Sequence, residues 1–319
     1  MVISCENCIN YRKVVIVGCG FVGSASAFSL MQSGIFSEMV LIDSNISKAE
    51  GEALDISHGV PLAKPIKIYA GTYDDIKDAS LIIITAGANQ KNGETRLDLV
   101  KKNVSIMKNI ILEINKRQFK GVILVVANPV DILTTIAIKY SDLPQNRVMG
   151  SGTVLDTARL KYELGQHLEV DPRSVHAFII GEHGDSEIVA WSSANVSGIQ
   201  LDKFCEMRGF CQHKEAKNKI AEEVKNSAYK IISKKTATYY GIAMSVKRIC
   251  EAIVRDEKSI LPVSSMICGE YGINNIALSM PAIVGKNGVE KLVPITLNSE
   301  EEENLKMSAQ IITNILSEN

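Results

Sequence analysis

Five side chains spread along this chain could share one piece of chemistry: the imidazole of His183, the carboxylate of Asp156, the guanidinium groups of Arg159 and Arg96, and the amide of Asn128. Each has an ordinary reading when taken singly. Asp156 and Arg159, three apart on one helix face, would form a surface ion pair that contributes little. His183 between glycines would be a turn residue, Arg96 a solvated charge, and Asn128 before Pro129 a turn former. Together they match what hydride transfer to a 2-keto acid requires. The ketone oxygen gains a proton as its carbon gains a hydride, so a general acid with a pKa near the operating pH is needed, and His183 can fill that role. A carboxylate on its far nitrogen, with Asp156 as the candidate, fixes the tautomer and favours the protonated ring. Arg159 offers the substrate carboxylate a planar two-point grip that a lysine could not match. Arg96, brought in on a closing segment, would stabilise charge building on the ketone oxygen.

A hydride carrier needs its own site, and Gly18-Cys19-Gly20-Phe21-Val22-Gly23 has the form of one. The apolar, β-branched run Lys13-Val14-Val15-Ile16-Val17 before it reads as a strand buried on both faces, and the small and apolar residues after it as a closely packed helix. Gly18 allows the tight turn, Gly20 lets backbone approach a pyrophosphate, and Gly23 lets the helix sit on the sheet. The helix N-terminus offers its N–H groups to the phosphates. A lone motif of this kind is weak, because glycines also mark ordinary turns. Here a second apolar run, Met39-Val40-Leu41-Ile42, ends in Asp43, twenty residues after Gly23. An acid there holds the adenosine ribose hydroxyls and repels a 2′-phosphate, which predicts NAD rather than NADP.

The elements that must position these groups alternate strand with helix up to about residue 149: strands near 66–70, 80–85 and 121–126, and helices over 47–58 and 97–117. This predicts an α/β fold with a doubly wound parallel sheet of the Rossmann kind over residues 1–149. The polar segment Ala88–Arg96 and the run Asn128-Pro129-Val130-Asp131 then fall outside carboxyl ends of strands, where ligands bind in such sheets. From residue 150 the pattern changes. A helix carries Asp156 and Arg159, a strand Val175–Ile180 leads into Gly181-Glu182-His183-Gly184-Asp185, and helices cover about 216–233 and 239–255. Residues 150–319 therefore read as an α+β catalytic lobe packed on the first.

Bulk properties exclude several classes. At 319 residues and net charge −1, with no like-charge block longer than Glu300–Glu303, the chain does not offer a nucleic-acid surface. The acidic run reads as the first turn of a terminal helix. No apolar stretch is long enough for a membrane span, and the first residues lack a signal peptide's basic and apolar regions. The seven cysteines are odd in number and scattered, which suits reduced thiols in a cytoplasm. Cys5-x-x-Cys8 has no second pair, so no metal is expected.

The motifs Gly18–Gly23, Asn89–Arg96, Asn128–Asp131, Leu155–Arg159 and Gly181–Asp185 together resemble those of the lactate/malate dehydrogenase family, and the likeness runs from about Lys13 to the C-terminus. The resemblance implies an NAD-dependent oxidoreductase with His183 as proton donor and acceptor, Asp156 as its orienting partner, Arg159 as carboxylate clamp and Arg96 as lid cation. It implies Asn128 and Thr238 as substrate neighbours and Ile242 near the nicotinamide. Further cofactor contacts are implied at Val22, Lys48, Tyr73, Gly87, Ala88, Val126, Asn128 and Ser151, and the assembly is implied to be a homotetramer.

In this family the lid residue six before the lid arginine reads the far end of the substrate, and here it is Gln90. Malate-specific members carry an arginine there to pair a second carboxylate. Gln90 would leave that group desolvated and unpaired at a cost of several kcal/mol by rough reckoning. Pyruvate ⇌ L-lactate is therefore expected, with malate or another 2-hydroxy acid as the nearest rival. A non-catalytic NAD-binding sensor would be expected to have lost one of the polar groups, and none is lost. An NAD-dependent glycosidase on a related fold would need a metal site that the Cys and His positions do not suggest. Many bacterial members are activated by fructose 1,6-bisphosphate, held between subunits by an arginine and a histidine. His176 matches the histidine, but Lys161 stands in the arginine's place, so a weakened or altered effector site is expected beside the alternative that His176 merely packs and Lys161 is solvated.

Overall fold

A computed structural model describes residues 9–88, 96–210 and 213–318. Strands β1 (Asn10–Val17), β2 (Glu38–Ile42), β3 (Lys67–Ala70), β4 (Ala79–Ile84), β5 (Val122–Val125) and β6 (Val148–Gly150) form a parallel sheet in the order β3-β2-β1-β4-β5-β6. Helices α1 (Phe21–Ser33), α2 (Ile46–His58), α3 (Arg96–Lys116) and α4 (Val130–Tyr140) connect them. β1 lies at the centre because both its edges are paired, Val14 standing opposite Met39 on one side and Leu81 on the other. Its apolar residues divide between two cores. Val15 and Val17 pack with Ile82 and Ile84 beneath Val104 and Met107 of α3, whereas Val14 and Ile16 pack with Leu81 and Ile83 beneath Leu30 of α1. A run that is apolar at every position is what such two-sided burial needs.

The second half comprises α5 (Val154–Leu168), short strands β7 (Val175–His176), β8 (Ile179–Ile180), β9 (Ile188–Val189), β10 (Asn195–Val196) and β11 (Ile199–Gln200), helices α6 (Leu201–Met207), α7 (His213–Lys235) and α8 (Tyr240–Val254), the meander β12 (Ser259–Cys268), β13 (Asn274–Gly285) and β14 (Gly288–Leu292), and α9 (Ser299–Ser317). Two features depart from the sequence expectation. The single strand expected over 175–180 is two, with β7 paired to β10 and β8 to β9 in different sheets. The chain changes partners there, and the Ile179 amide donates to Thr157 Oγ1 at 2.9 Å. Nor does the β12–β14 meander stand apart from the first half's sheet. β12 pairs antiparallel with β6 through Ser264 and Gly150, so the meander extends the parallel sheet to nine strands. A side chain at 150 would collide with Thr134 and Ser264, so the close approach of the two strands depends on Gly150. The domain boundary expected at 149/150 thus falls inside a paired strand.

The acidic run begins α9 as expected, but Glu301 does more than face a helix dipole. It closes a capping box with Asn298 and accepts from the Ser192 amide at 3.0 Å, and it is buried. Among the described residues no helix is long and apolar enough to cross a membrane. Cys5 and Cys8 lie outside the described residues.

The glycine turn shows the tightest backbone approach. Gly18 has φ +105°, and a Cβ at Gly23 would lie 1.9 Å from the Gly18 carbonyl oxygen and 2.8 Å from Thr85 Oγ1. Gly23→Ala is therefore expected to cost about 1–3 kcal/mol by overpacking and to weaken NADH binding at least about tenfold. Thermal unfolding and NADH fluorescence titration check this, and parent-like values in both would contradict it.

Candidate active site

The carboxyl ends of β1, β2, β4 and β5 gather the first half of the site. At Gly20, the N-cap of α1, an added Cβ would meet no protein atom within 4 Å, and the first turn of that helix carries no acid. That open approach and unopposed N-terminus suit a pyrophosphate. Beyond β2, Asp43 is oriented by two backbone donors, Cys19 N to Oδ2 at 2.7 Å and Asn45 N to Oδ1 at 2.9 Å. The carboxylate is thus tied to the glycine turn itself, where a ribose would reach it. Val22 and Ile242 pack on the same apolar cluster, which brings the start of α8 to the start of α1. Ser151 and Val126 are buried beyond β6 and β5, and the Ser151 amide donates to the Val125 carbonyl at 2.8 Å. Gly87 and Ala88 follow β4, and Ala88 N donates to Asn103 Oδ1 at 2.7 Å. Asn103 also donates to the Asn128 carbonyl at 3.0 Å, so one buried amide on α3 joins the segments that follow β4 and β5. Lys48 is exposed on the first turn of α2, and Tyr73 is half-buried with its ring facing Arg117. Of these, the open approach at Gly20 and the oriented Asp43 carboxylate fit the pyrophosphate and ribose of a dinucleotide.

The second half of the site lies across a cleft of about 290 Å³ whose lining includes Asn128, Asp156, Arg159 and His183. Asp156 is not on a surface. It is 2% exposed, in the first turn of α5, and its two oxygens have different partners. Oδ2 accepts from His183 Nδ1 at 2.6 Å, and Oδ1 accepts from Arg159 Nη1 at 2.9 Å. The second bond follows from helical spacing, since residues three apart share a face. The first needs the loop after β8, which is held at Gly181 and His183. Gly181 and Ser279 of β13 exchange backbone hydrogen bonds of 2.9 and 3.2 Å. The His183 amide donates to Asp131 Oδ2 at 2.7 Å, and Ser279 Oγ donates to Asp131 Oδ1 at 3.0 Å.

Electrostatics follow from this geometry. Burial by itself would lower the His183 pKa, but the charge and hydrogen bond of Asp156, with Asp131 and Glu187 behind, push it up to about 9. Burial would raise the pKa of Asp156, and the cations on either side hold it below the ordinary value instead. Burial raises that of Asp131. Asp156, His183 and Glu187 bring donor atoms within 4.8 Å of one another, but both oxygens of Asp156 are already engaged.

Other expected residues fall elsewhere. Gln90 lies outside the described residues, and Arg96 is described only as the first residue of α3. Thr238 is half-buried in the connection between α7 and α8, outside the cleft lining. Lys161 is half-buried on α5 rather than solvated, and burial lowers its pKa. His176 is exposed on β7. Sequence reasoning gave no role to Asn103, Asp131 or Glu187. Asn103 had one available signal, an amide within the apolar stripe Val100–Val104–Met107 of a helix.

The lactate/malate dehydrogenase NAD-binding domain matches residues 12–150, and the lactate/malate dehydrogenase α/β C-terminal domain matches residues 153–319. The chain belongs to the lactate/malate dehydrogenase family. Among the family's members, the L-lactate dehydrogenase of Acetivibrio thermocellus is 53% identical over 305 residues, 96% of each chain. That of Thermoanaerobacterium saccharolyticum is 52% identical over 306 residues, 96% of this chain and 98% of its own. The ligand-bound crystal structure of the minor L-lactate dehydrogenase from Enterococcus mundtii superposes with a TM-score of 0.93 at 45% identity, covering 96% of this chain and 98% of that one. The family's first domain binds NAD, which agrees with the fit of the glycine turn and Asp43.

The His183–Asp156 pair also sets a pH dependence of stability. A histidine whose pKa rises from 6.5 to about 9 on folding stabilises fully below pH 6.5, and that contribution is lost as pH rises through 9. The difference corresponds to about 3 kcal/mol. Asp156→Asn should lower the melting temperature most at pH 6 and flatten its decline between pH 6.5 and 9. A variant whose melting curve runs parallel to the parent's across that window would refute the assignment.

Proposed function

We propose that this chain is an NAD-dependent L-lactate dehydrogenase that reversibly reduces pyruvate to L-lactate, at the end of a fermentative glycolysis in the cytoplasm. The observation that carries the reading is the buried Asp156 carboxylate joined at once to His183 and Arg159 in the cleft beside Asn128. Relatives curated as L-lactate dehydrogenases, about half identical over nearly the whole chain, support it. NAD(H), when bound, carries the hydride, and Gly18, Gly20, Gly23 and Asp43 are the residues that would hold its pyrophosphate and ribose.

His183, protonated at neutral pH, gives the ketone oxygen its proton through Nε2, because Nδ1 is committed to Asp156. Asp156 keeps the ring in one orientation and stabilises its charged form. Arg159 spends one terminal nitrogen on Asp156, which fixes the plane of the guanidinium for the substrate carboxylate. Arg96 is assigned the charge on the ketone oxygen, Asn128 and Thr238 the substrate's flank, and Gln90 the methyl end. Steady-state NADH oxidation tests this assignment: pyruvate should be turned over far more efficiently than oxaloacetate. Gln90→Arg should move the ratio of kcat/KM values toward oxaloacetate by roughly a hundredfold or more, the range of one buried charge pair. An unmoved ratio would sink the role of Gln90, and equal rates in the parent would favour a broader 2-hydroxy-acid dehydrogenase.

Lys161 and His176 are assigned a weakened fructose 1,6-bisphosphate site between subunits of a homotetramer. Partial burial makes the Lys161 charge costlier to hold, which argues for weaker binding than an arginine would give. Adding the bisphosphate at neutral pH should lower the pyruvate KM modestly, and Lys161→Arg should enlarge that effect. Kinetics unchanged in both would remove the effector site, and sedimentation tests the tetramer.

A further inference from the structure

Glu187 stands out among the cleft's acids. It follows the His183 loop and leads into β9, it is half-buried, and its side chain lines the same cleft as His183 and Arg159. One carboxyl oxygen lies within 4.8 Å of both a ring nitrogen of His183 and an oxygen of Asp156. The other acids in that lining are engaged: Asp156 by two cations, Asp185 by Tyr229 at 3.0 Å, and Glu182 by Ser186. Among the described residues Glu187 makes no side-chain hydrogen bond or ion pair.

An uncommitted carboxyl inside a cleft that must take up a carboxylate is in direct competition with its ligand. Both respond to the same cations, and the charged form of one raises the electrostatic cost of the other. We propose that Glu187 is a further substrate-recognition residue, whose carboxyl admits the 2-keto acid's carboxylate when it carries a proton and repels it when it does not. The identity of that anion rests on the lactate dehydrogenase reading.

The charges facing Glu187 come from each packed element. Asp156 and Arg159 act on it from α5, Lys225 from α7 and His183 from its own loop, where Asp131 of α4 holds the His183 amide; Glu182, Asp185 and Tyr229 share the lining. Burial and then the charge of Asp156 push its pKa up to about 8, while His183, Arg159 and Lys225 pull the other way. At neutral pH Glu187 therefore adds no negative charge to that of Asp156 beside the cations. Two protons, on Glu187 and His183, must then be in place for an anion to bind, and both leave between about pH 8 and 9.

The test uses oxamate, a carboxylate shaped like pyruvate that accepts no hydride, titrated into the enzyme–NADH complex from pH 6 to 10. In the parent, log Kd should steepen toward two units per pH unit in the alkaline range. In Glu187→Gln, which keeps the shape of the neutral acid, it should approach one, with binding roughly thirtyfold tighter than the parent's by pH 9.5. In pyruvate reduction the change should fall on KM rather than kcat. Glu187→Asp keeps the ionisation and should keep the steeper slope, which also serves if the glutamine variant fails to fold. Equal slopes in parent and Glu187→Gln, or a slope reduced to one in Glu187→Asp, would overturn the proposal while pyruvate turnover continued. A parent that oxidised no NADH with pyruvate at pH 6.5 would instead overturn the lactate reading, and the proposal with it.

Discussion

A buried carboxylate that cannot afford to be alone lies at the centre of this molecule. Asp156 has almost no contact with water, and an isolated charge there would neutralise itself. It stays ionised because an imidazolium and a guanidinium each take one of its oxygens. The dependence runs both ways: the histidine is basic because the carboxylate is charged, and the arginine has a fixed plane because one of its nitrogens is committed. In the proposed function, proton donor and carboxylate grip are two ends of one interaction, and Asp156 is the joint between binding and chemistry.

That joint needs a frame. The parallel strands, apolar on both faces, provide a plate whose carboxyl ends sit level, and the cofactor turn and Asn128 belong to those ends. The histidine belongs to a different part of the chain and is brought to the plate by β13, through Gly181 and Ser279, and by Asp131 at the start of α4. Asp131 thus does for the backbone of His183 what Asp156 does for its ring. Asn103 makes a similar link between the two crossover segments. In each case a single buried polar side chain, fully satisfied, ties together segments that are distant in sequence.

These linking groups are what the sequence did not disclose. The parallel strands were legible, because residues buried on both sides must be apolar at every step, as in Val14–Val17 and Leu81–Ile84. The grouping of His183, Asp156 and Arg159 was legible because an imidazole, a carboxylate and a guanidinium make a coherent chemical set. By contrast Asp131, Asn103 and Glu187 differ from solvated residues only through what surrounds them in space. The split of 175–180 into two strands was hidden for a related reason: an apolar run shows that backbone is buried, not which neighbour pairs with it. Lys161 could be read equally as an effector ligand or as a solvated charge, and its partial burial depends on how α5 packs, which a lone lysine in a sequence does not reveal.

The pairing of β6 with β12 has a mechanical side. Two-lobed enzymes often close on their substrates by swinging the lobes about a flexible linker, as jaws do. Here the point where such a hinge would sit is a strand with backbone neighbours on both edges, pressed against Ser264 at a residue that tolerates no side chain. Opening there would break the Ser264–Gly150 pairing that joins the meander to the parallel sheet. The β6–β12 pairing therefore ties the cleft's two sides through the sheet, and local movements of single connections and side chains are the ones it leaves unopposed.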